Sequence, residues 1–427
     1  MKKILLLLLG VMLAAGCSAS TPGQTSSSQP GTEMPKDIRA FSVSWQGQQL
    51  LYATPDGIFS HSPADGATAS ILSAAMNEKD WLYSTISPDG SQYIVLTVGP
   101  YDNTAEIFDY KTGESVLQLD ADKYRQGVGD YSPPVSQVGW MDNENIFLST
   151  EFRLFLISIH TGEEVQITAE CAPVTASVNH NTEAPYLSWA RNVTQFGDQL
   201  YYNSKRSLKE PGLGSIYRGD KTGEQELLKN ASLVLAVDGE RFVYLRETEP
   251  GFMQSFLYDI PTGRSSLISA ENALPEGIFR TNEGNLVLIT GDPVGGAYRG
   301  LHYNPDTLQS QTFDLYNGER DFPDPDVDRR QFGKFFGAFE KDGDCVFLFS
   351  AESHSIAQEK FDVRYLAYSV KARKLIEIQD YGDTWLVTLS LDATGSYIAA
   401  AKHHRPGDDS FLFDLIRTGD LLARFDS

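Results

Sequence analysis

The sequence predicts an all-β chain folded as a single β-propeller of four-stranded blades, and three observations predict it. One four-strand unit recurs from residue 37 to the end of the chain, and such self-similarity marks repeat architectures. Its turns carry Gly, Asp or Asn, the residues that reach the positive φ of tight hairpins at little cost. Its strands are short and rich in β-branched and aromatic residues, and radial repetition of such meanders leaves only short, protected sheet edges. With 427 residues, 41% hydrophobic and 22% charged, the chain can bury a large core, which excludes a disordered or coiled-coil protein.

The clearest copy is 81–119. WLYSTI leads into Ser87-Pro88-Asp89-Gly90, then SQYIVLTV, a loop, AEIFDY, the turn Lys111-Thr112-Gly113-Glu114, and VLQL. These four strands are termed A to D. Equivalent B strands read QQLLYAT, SQYIVLT, ENIFLST, DQLYYNS, ERFVYLR, GNLVLIT, DCVFLFS and GSYIAAA, so eight copies are expected. The A/B turns fall at Gly47, Gly90, Asn143, Gly197, Gly239, Gly284, Gly343 and Gly395, a period of about 50 residues that is near the propeller range. The C/D turns fall at Thr112-Gly113, Thr161-Gly162, Thr222-Gly223, Thr262-Gly263 and Thr418-Gly419, with Asp65-Gly66, Asp306-Thr307 and Ala372-Arg373 in the other slots. Eight copies predict eight blades; seven would follow if the first copy, 38–73, lent strands to a shared blade.

Residues 1–17, MKKILLLLLGVMLAAGC, have the basic start, short apolar run and small-residue ending of a secretory signal. The run is shorter than the roughly 20 residues of a spanning helix. Leu13-Ala14-Ala15-Gly16-Cys17 resembles the lipobox of bacterial lipoproteins, and the resemblance implies cleavage before Cys17 and its diacylation. The expected organisation is a signal peptide at 1–16, the lipidated Cys17 and a Ser/Thr/Pro/Gly tether at 17–36, and the propeller at 37–427. This places the body in the bacterial cell envelope, held on the extracytoplasmic side of a membrane through acylated Cys17. The 57 acidic residues exceed the 35 basic ones, giving a net charge of -22, so nucleic acid is not an expected partner. Cys171 and Cys345 are read as reduced, Cys345 as a small core residue.

The pairing of Ser87-Pro88-Asp89-Gly90-Ser91 with Thr-Gly C/D turns resembles the TolB-type, WD40-like bacterial propeller repeats over roughly 38–427. Ser390 to Ser396 is a lengthened version of the first signature. The resemblance implies a fold more than an activity, because such propellers serve as adaptors, receptors and enzyme subdomains.

In a meander the A/B and C/D turns share one end, and the B/C loops and D-to-A crossings share the other. The first end has tight turns. The second carries the long connections 120–134, 169–185, 204–213, 314–331, 351–362 and 402–410, where function concentrates. Tyr124, Arg125, Tyr131, Lys205, Arg206, Lys209, His354 and Arg405 lie there and suit a protein or peptide interface, in which Tyr and Arg dominate. Asp324, Asp326 and Asp328, with Asp321, offer calcium-type oxygens, but Arg329 and Phe335 break the calcium-loop pattern and a solvated acidic loop is expected. His403 and His404 point oppositely on an extended segment, which disfavours a chelating pair. No cofactor is expected; calcium is the one ion the acidic loop could take. Trp45, Trp140 and Trp189 are read as packing residues between blades.

No G-x-S-x-G elbow occurs, and the chain ends at Ser427 inside the last copy, so the hydrolase domain that some peptidases append to a propeller is not expected. The leading expectation is a non-catalytic binding or scaffold module for a protein, peptide or envelope glycan. The alternative is a glycan-active hydrolase or lyase with a channel carboxylate pair.

Overall fold

The computed structural model describes residues 37–40, 42–72, 81–98, 103–124, 135, 137–149, 153–168, 191–204, 214–291, 297–321, 329–355, 360–381, 386–403 and 411–426. Strand β1 (Ile38–Ala40) comes first. The first meander is β2 (Ser42–Gln46), β3 (Gln49–Thr54), β4 (Gly57–Ser62) and β5 (Ala67–Leu72). The second is β6 (Trp81–Ile86), β7 (Gln92–Val98), β8 (Asn103–Asp109) and β9 (Ser115–Asp120). The third is β10 (Gln137–Trp140), β11 (Asn145–Ser149), β12 (Leu154–Ser158) and β13 (Glu164–Gln166). The fourth is β14 (Arg191–Phe196), β15 (Gln199–Ser204), β16 (Ser215–Asp220) and β17 (Gly223–Lys229). The fifth is β18 (Ala231–Ala236), β19 (Arg241–Glu249), β20 (Phe252–Asp259) and β21 (Arg264–Ser269).

The sixth sheet is β22 (Ala273–Arg280), β23 (Leu286–Gly291), β24 (Ala297–Asn304) and β25 (Gln309–Asn317), followed by the single turn α1 (Gly318–Asp321). The seventh is β26 (Arg329–Lys341), β27 (Asp344–Ser355), β28 (Lys360–Ser369) and β29 (Lys374–Glu377). The eighth contains β30 (Leu386–Leu391), β31 (Tyr397–His403) and β32 (Phe411–Arg417), after which α2 (Thr418–Ala423) closes the described chain. These eight four-stranded antiparallel sheets are the blades of an eight-bladed β-propeller fold.

The eighth sheet corrects the sequence reading. Its order is β1-β32-β31-β30, so the N-terminal strand supplies the fourth position, and the first copy begins at Ser42 rather than at residue 38. The seven-blade variant falls with it, because the first copy keeps four strands of its own. Thr418-Gly419 is no hairpin turn: Gly113, Gly162 and Gly263 adopt φ of 66 to 69°, whereas Gly419 has no positive φ. The buried Thr418 instead donates its hydroxyl to the Gly395 carbonyl at 2.8 Å, and Leu421 and Phe425 of the helical tail pack with Phe336, Leu389 and Ile398.

Two compact units divide the chain, Ala40–Leu233 and Val234–Ser427, the second also taking residues 37–39. In the first unit, Ile94 and Ile107 of the second blade meet Val138, Trp140, Ile146 and Leu148 of the third. In the second unit, Val287 and Ile289 of the sixth blade meet Phe335, Phe347 and Phe349 of the seventh, whose opposite face packs Phe339, Val346 and Leu348 on Leu389 and Ile398 of the eighth. B strands are therefore buried on both faces, which is why they read as unbroken apolar runs instead of alternating ones. Each fully buried Ile, Leu, Val or Phe contributes roughly 1.5–3 kcal/mol. Trp140, 7% exposed and clustered with Ile94 and Ile107 of the second blade, bears out the reading of packing between blades; Trp45 is buried at 9% exposure, and Trp189 lies outside the described residues. Cys345 is a free, buried thiol as expected; Cys171 lies outside.

The second correction concerns the 351–362 connection. It is largely strand: β27 runs to Ser355 and β28 starts at Lys360, paired Ser355 to Lys360. The seventh blade thus carries strands of 13, 12 and 10 residues, longer than any others described.

Candidate functional site

The two ends of the sheets differ in how their polar groups are used. At the turn end, a carboxylate or amide folds back on the hairpin in blade after blade. Asp89 accepts from Ser87 Oγ at 2.7 Å, from Ser91 N at 3.0 Å and from Ser91 Oγ at 2.8 Å. Asp142 accepts from the amides of Glu144 and Asn145, both at 2.7 Å, and Asp392 from those of Ser396 and Tyr397 at 2.7 and 2.8 Å. On the C/D side Asp109, Asp220 and Asp259 accept from Thr112, Thr222 and Thr262 amides at 2.7, 2.7 and 2.8 Å. The bond from the Thr112 amide holds the Asp109 carboxyl below the usual carboxylate range, and the Thr222 and Thr262 hydroxyls do the same for Asp220 and Asp259. Where Gly is missing, Leu308 and Arg373 take φ of 57° and 52°, and an Asn304 side chain or the Asp344–Ser369 pair ties the loop instead. These carboxylates are committed to turns, so this end is structural.

The sequence assigns its contact residues to the other end. Arg125, Tyr131, Lys205, Arg206, Lys209 and Arg405 lie outside the described residues, as do Cys17, Asp324, Asp326, Asp328 and His404. Tyr124 is described and corrects the surface reading. It sits in a short 3-10 turn at 121–124, 6% exposed, with its ring 5.0 Å from that of Phe155 and its hydroxyl donating to Glu164 at 2.7 Å. Burial and the Glu164 carboxylate push its phenol pKa well up, so Tyr124 is a packing residue with no face for a partner. Asn317 caps α1, accepting from the Arg320 amide at 3.0 Å, and Asp321 at the end of that turn accepts from the Asn317 amide at 2.8 Å and from the Arg320 guanidinium at 2.6 Å. His403 lies against Phe411, ring centroids 4.9 Å apart.

His354 is exposed near the tip of the seventh-blade arm, between Arg329 of β26 and Phe361 of β28 in register. On β28 the exposed Arg364 lies 3.4 Å from Asp362. Strand β29 pairs only with Leu366–Ser369, and the Ile378 amide adds one bond to Tyr365 O. Residues 360–364 of β28 therefore carry no strand on that side among the described residues, an edge about 16 Å long at about 3.3 Å per residue.

A second polar centre, missed by the sequence reading, lies at the turn end where the sixth and seventh blades meet. Glu340 is the last residue but one of β26 and pairs directly with Cys345 on β27. Its carboxylate accepts from Thr281 Oγ1 at 2.6 Å and from Asn285 Nδ2 at 3.0 Å, and lies 3.2 Å from His302 Nε2. Its main chain is bound twice by Asn282, as donor at 2.7 Å and as acceptor at 2.9 Å. Burial raises the Glu340 carboxyl pKa, but bonds from His302, Thr281 and Asn285 outweigh it, and the net shift is downward. The Cys345 thiol is pushed up by burial and by neighbouring carboxylates. Among the described residues, His302, Glu340 and Cys345 are the one trio whose donor atoms, all within 4.8 Å of one another, could hold a metal ion. The hairpin register made the Glu340–Cys345 pair legible; the approach of His302 from another blade was not.

No family model matches the sequence, and no curated protein matches it significantly. Solved structures do. One is dipeptidyl peptidase 4 of Porphyromonas gingivalis, at 9% identity and TM-score 0.53 over 86% of this chain and 56% of that one. Another is an oligogalacturonate lyase of Vibrio parahaemolyticus, at 10% identity and TM-score 0.47 over 89% of this chain and 98% of that one. The chain thus spans little more than half the length of the peptidase. At 9% identity the likeness to the peptidase is one of fold alone, and the fold it supports is the β-propeller.

Proposed function

We propose that this chain is a lipid-anchored, extracytoplasmic binding module that engages an envelope protein or peptide through the B/C and D-to-A end of its blades. The observation that carries the reading is the seventh-blade arm. It carries β28 at 360–364 beyond the residues that pair with β29, and the polar side chains of His354 and Arg364 are exposed there. An extended peptide can add to such an edge through main-chain hydrogen bonds, with alternate side chains giving selectivity. The arm is braced by Phe332, Phe335, Phe347 and Phe349, so little ordering entropy is lost on binding. The turn end supports the same division of labour, since its carboxylates are already engaged within the hairpins. The anchor is Cys17: acyl chains contribute about 0.8 kcal/mol per buried methylene, so two or more hold a protein stably on a bilayer.

The test is site-specific photo-crosslinking in the source organism, with the reactive residue at position 364 or, for comparison, at position 263 of a C/D turn. A discrete adduct from 364 and none from 263 is the expected result. Equal labelling from both positions, or no adduct from a folded protein at 364, contradicts the reading and turns attention to a glycan ligand or a channel enzyme.

A further inference from the structure

We propose that His302, Glu340 and Cys345 form a binding site for zinc or a similar borderline-soft divalent cation, bridging the sixth and seventh blades. The proposal is independent of the peptide-binding reading. It begins from donor chemistry: an imidazole nitrogen, a carboxylate oxygen and a thiol sulfur converge within 4.8 Å, a mixed set that suits zinc, whereas calcium and magnesium take oxygen ligands. The His302 Nε2 to Glu340 Oε1 separation of 3.2 Å matches the edge of about 3.3 Å that a tetrahedral ion with bonds of about 2.0 Å would impose. The thiol lies within 4.8 Å of both, so a side-chain shift of about 1 Å or less completes the triangle at the N···S and O···S edges such a site requires.

The support around the trio is that of a held ligand set. Asn282 fixes the Glu340 backbone at both its amide and its carbonyl. Thr281 and Asn285 donate to the carboxylate, the outer hydrogen bonds that orient a metal-ligating carboxylate. Cys345 is fixed by its cross-strand pairing with Glu340 and by the phenylalanine cluster beneath it. The His302 and Glu340 side chains are 24% and 12% exposed, which leaves a path for the ion and a fourth position for water. Charge balances as well. A dication with one carboxylate, one thiolate and a neutral imidazole sums to zero, and binding releases the thiol proton to solvent. A hydrogen-bonded clasp between the two blades needs only Glu340 with Thr281, Asn282 and Asn285; it assigns nothing to the thiol within 4.8 Å of the same carboxylate.

The experiment uses the full chain, purified in detergent and stripped with a chelator. Zinc is titrated against a chromogenic competitor, and cobalt is added in a parallel sample. One equivalent of zinc, a zinc-dependent rise in Tm, and a cobalt spectrum with tetrahedral d–d bands and a thiolate charge-transfer band are expected. Cys345→Ser should abolish the charge-transfer band, and Cys345→Ser and His302→Gln should each weaken zinc binding by about a hundredfold. The proposal is overturned if folded wild type binds no zinc above background, if both variants bind as wild type does, or if the cobalt adduct shows no thiolate band. Cys171→Ser should keep the thiolate band, and loss of the band in that variant would also overturn the proposal, so the assignment to Cys345 stands or falls even if a Cys345 variant fails to fold.

Discussion

The Lys402 ammonium lies 2.8 Å from a carboxylate oxygen of Asp414 and 2.5 Å from one of Asp37, joining the N-terminal segment to the two middle strands of the eighth blade. The Asp37 amide donates to Asp414 at 2.8 Å, so the three residues form one clasp beside β1. The Lys402 and Asp414 side chains are 9% and 7% exposed, whereas Asp37 is 56% exposed.

Truncating Lys402 leaves the Asp414 charge buried without its main partner. Lys402→Met should therefore destabilise the protein by about 3 kcal/mol, near the value for breaking one side of a buried pair. Asp37→Asn should cost less than about 1 kcal/mol. Urea unfolding midpoints check both. Burial lowers the Lys402 pKa, but the bonds from Asp37 and Asp414 outweigh it and the net shift is upward. Its contribution is thus fully present below the unfolded value of about 10.4 and is lost as pH rises through the folded value.

A chain that starts at Phe41 should leave β32 as an open edge. Faster proteolysis within 386–417 and concentration-dependent aggregation, read by limited trypsin digestion and light scattering, are the expected outcomes.

Gly300 and Phe313 are cross-strand partners, as are Gly139 and Phe147, and each ring lies over the glycine so closely that a Cβ would overlap it. Gly300→Ala and Gly139→Ala should each cost about 1–3 kcal/mol through overpacking. Gly90→Ala meets open space and is opposed only by its φ of 74°, so its cost should be smaller, about 1 kcal/mol. Thermal melts of the three variants test the order.

His61 is 5% exposed, with Nδ1 2.9 Å from Thr68 Oγ1. Burial lowers its pKa, and the Asp65 carboxylate opposes that only in part. Its folded value therefore lies below the unfolded value of about 6.5, so stability is full above that pH and declines as pH falls. Wild type should lose urea resistance between about pH 7 and 5, and His61→Gln should flatten that slope. An unchanged slope would assign the acid sensitivity to other groups.

The sequence showed most of the fold because the fold is repetitive. Gly90, Asn143, Gly197 and the Thr-Gly turns announced hairpins at steady spacing, and apolar runs such as Ile146–Leu148 marked strands buried on both faces. The eighth blade was misread where long-range pairing overrides local signal: Thr418-Gly419 has the letters of a turn, yet β1 takes the edge its hairpin would have filled. Tyr124 looked like a loop residue because its partners, Phe155 and Glu164, come from the next blade. His302 gave no local sign of Glu340 for the same reason. The seventh-blade arm read as loop because polar residues such as Glu352, Ser353 and His354 dilute the strand pattern.

That the envelope partner is held at the loop end of the blades and not at the turn end is tested by affinity capture from detergent-solubilised envelopes of the source organism. Three baits are compared: wild type, a loop-end variant with Arg125, Arg206 and Arg405 changed to Glu, and a turn-end variant with Lys111 and Lys221 changed to Glu. One partner held by wild type and by the turn-end variant and lost by the loop-end variant is the expected result. Loss confined to the turn-end variant, or a blank from all three folded baits, would contradict it.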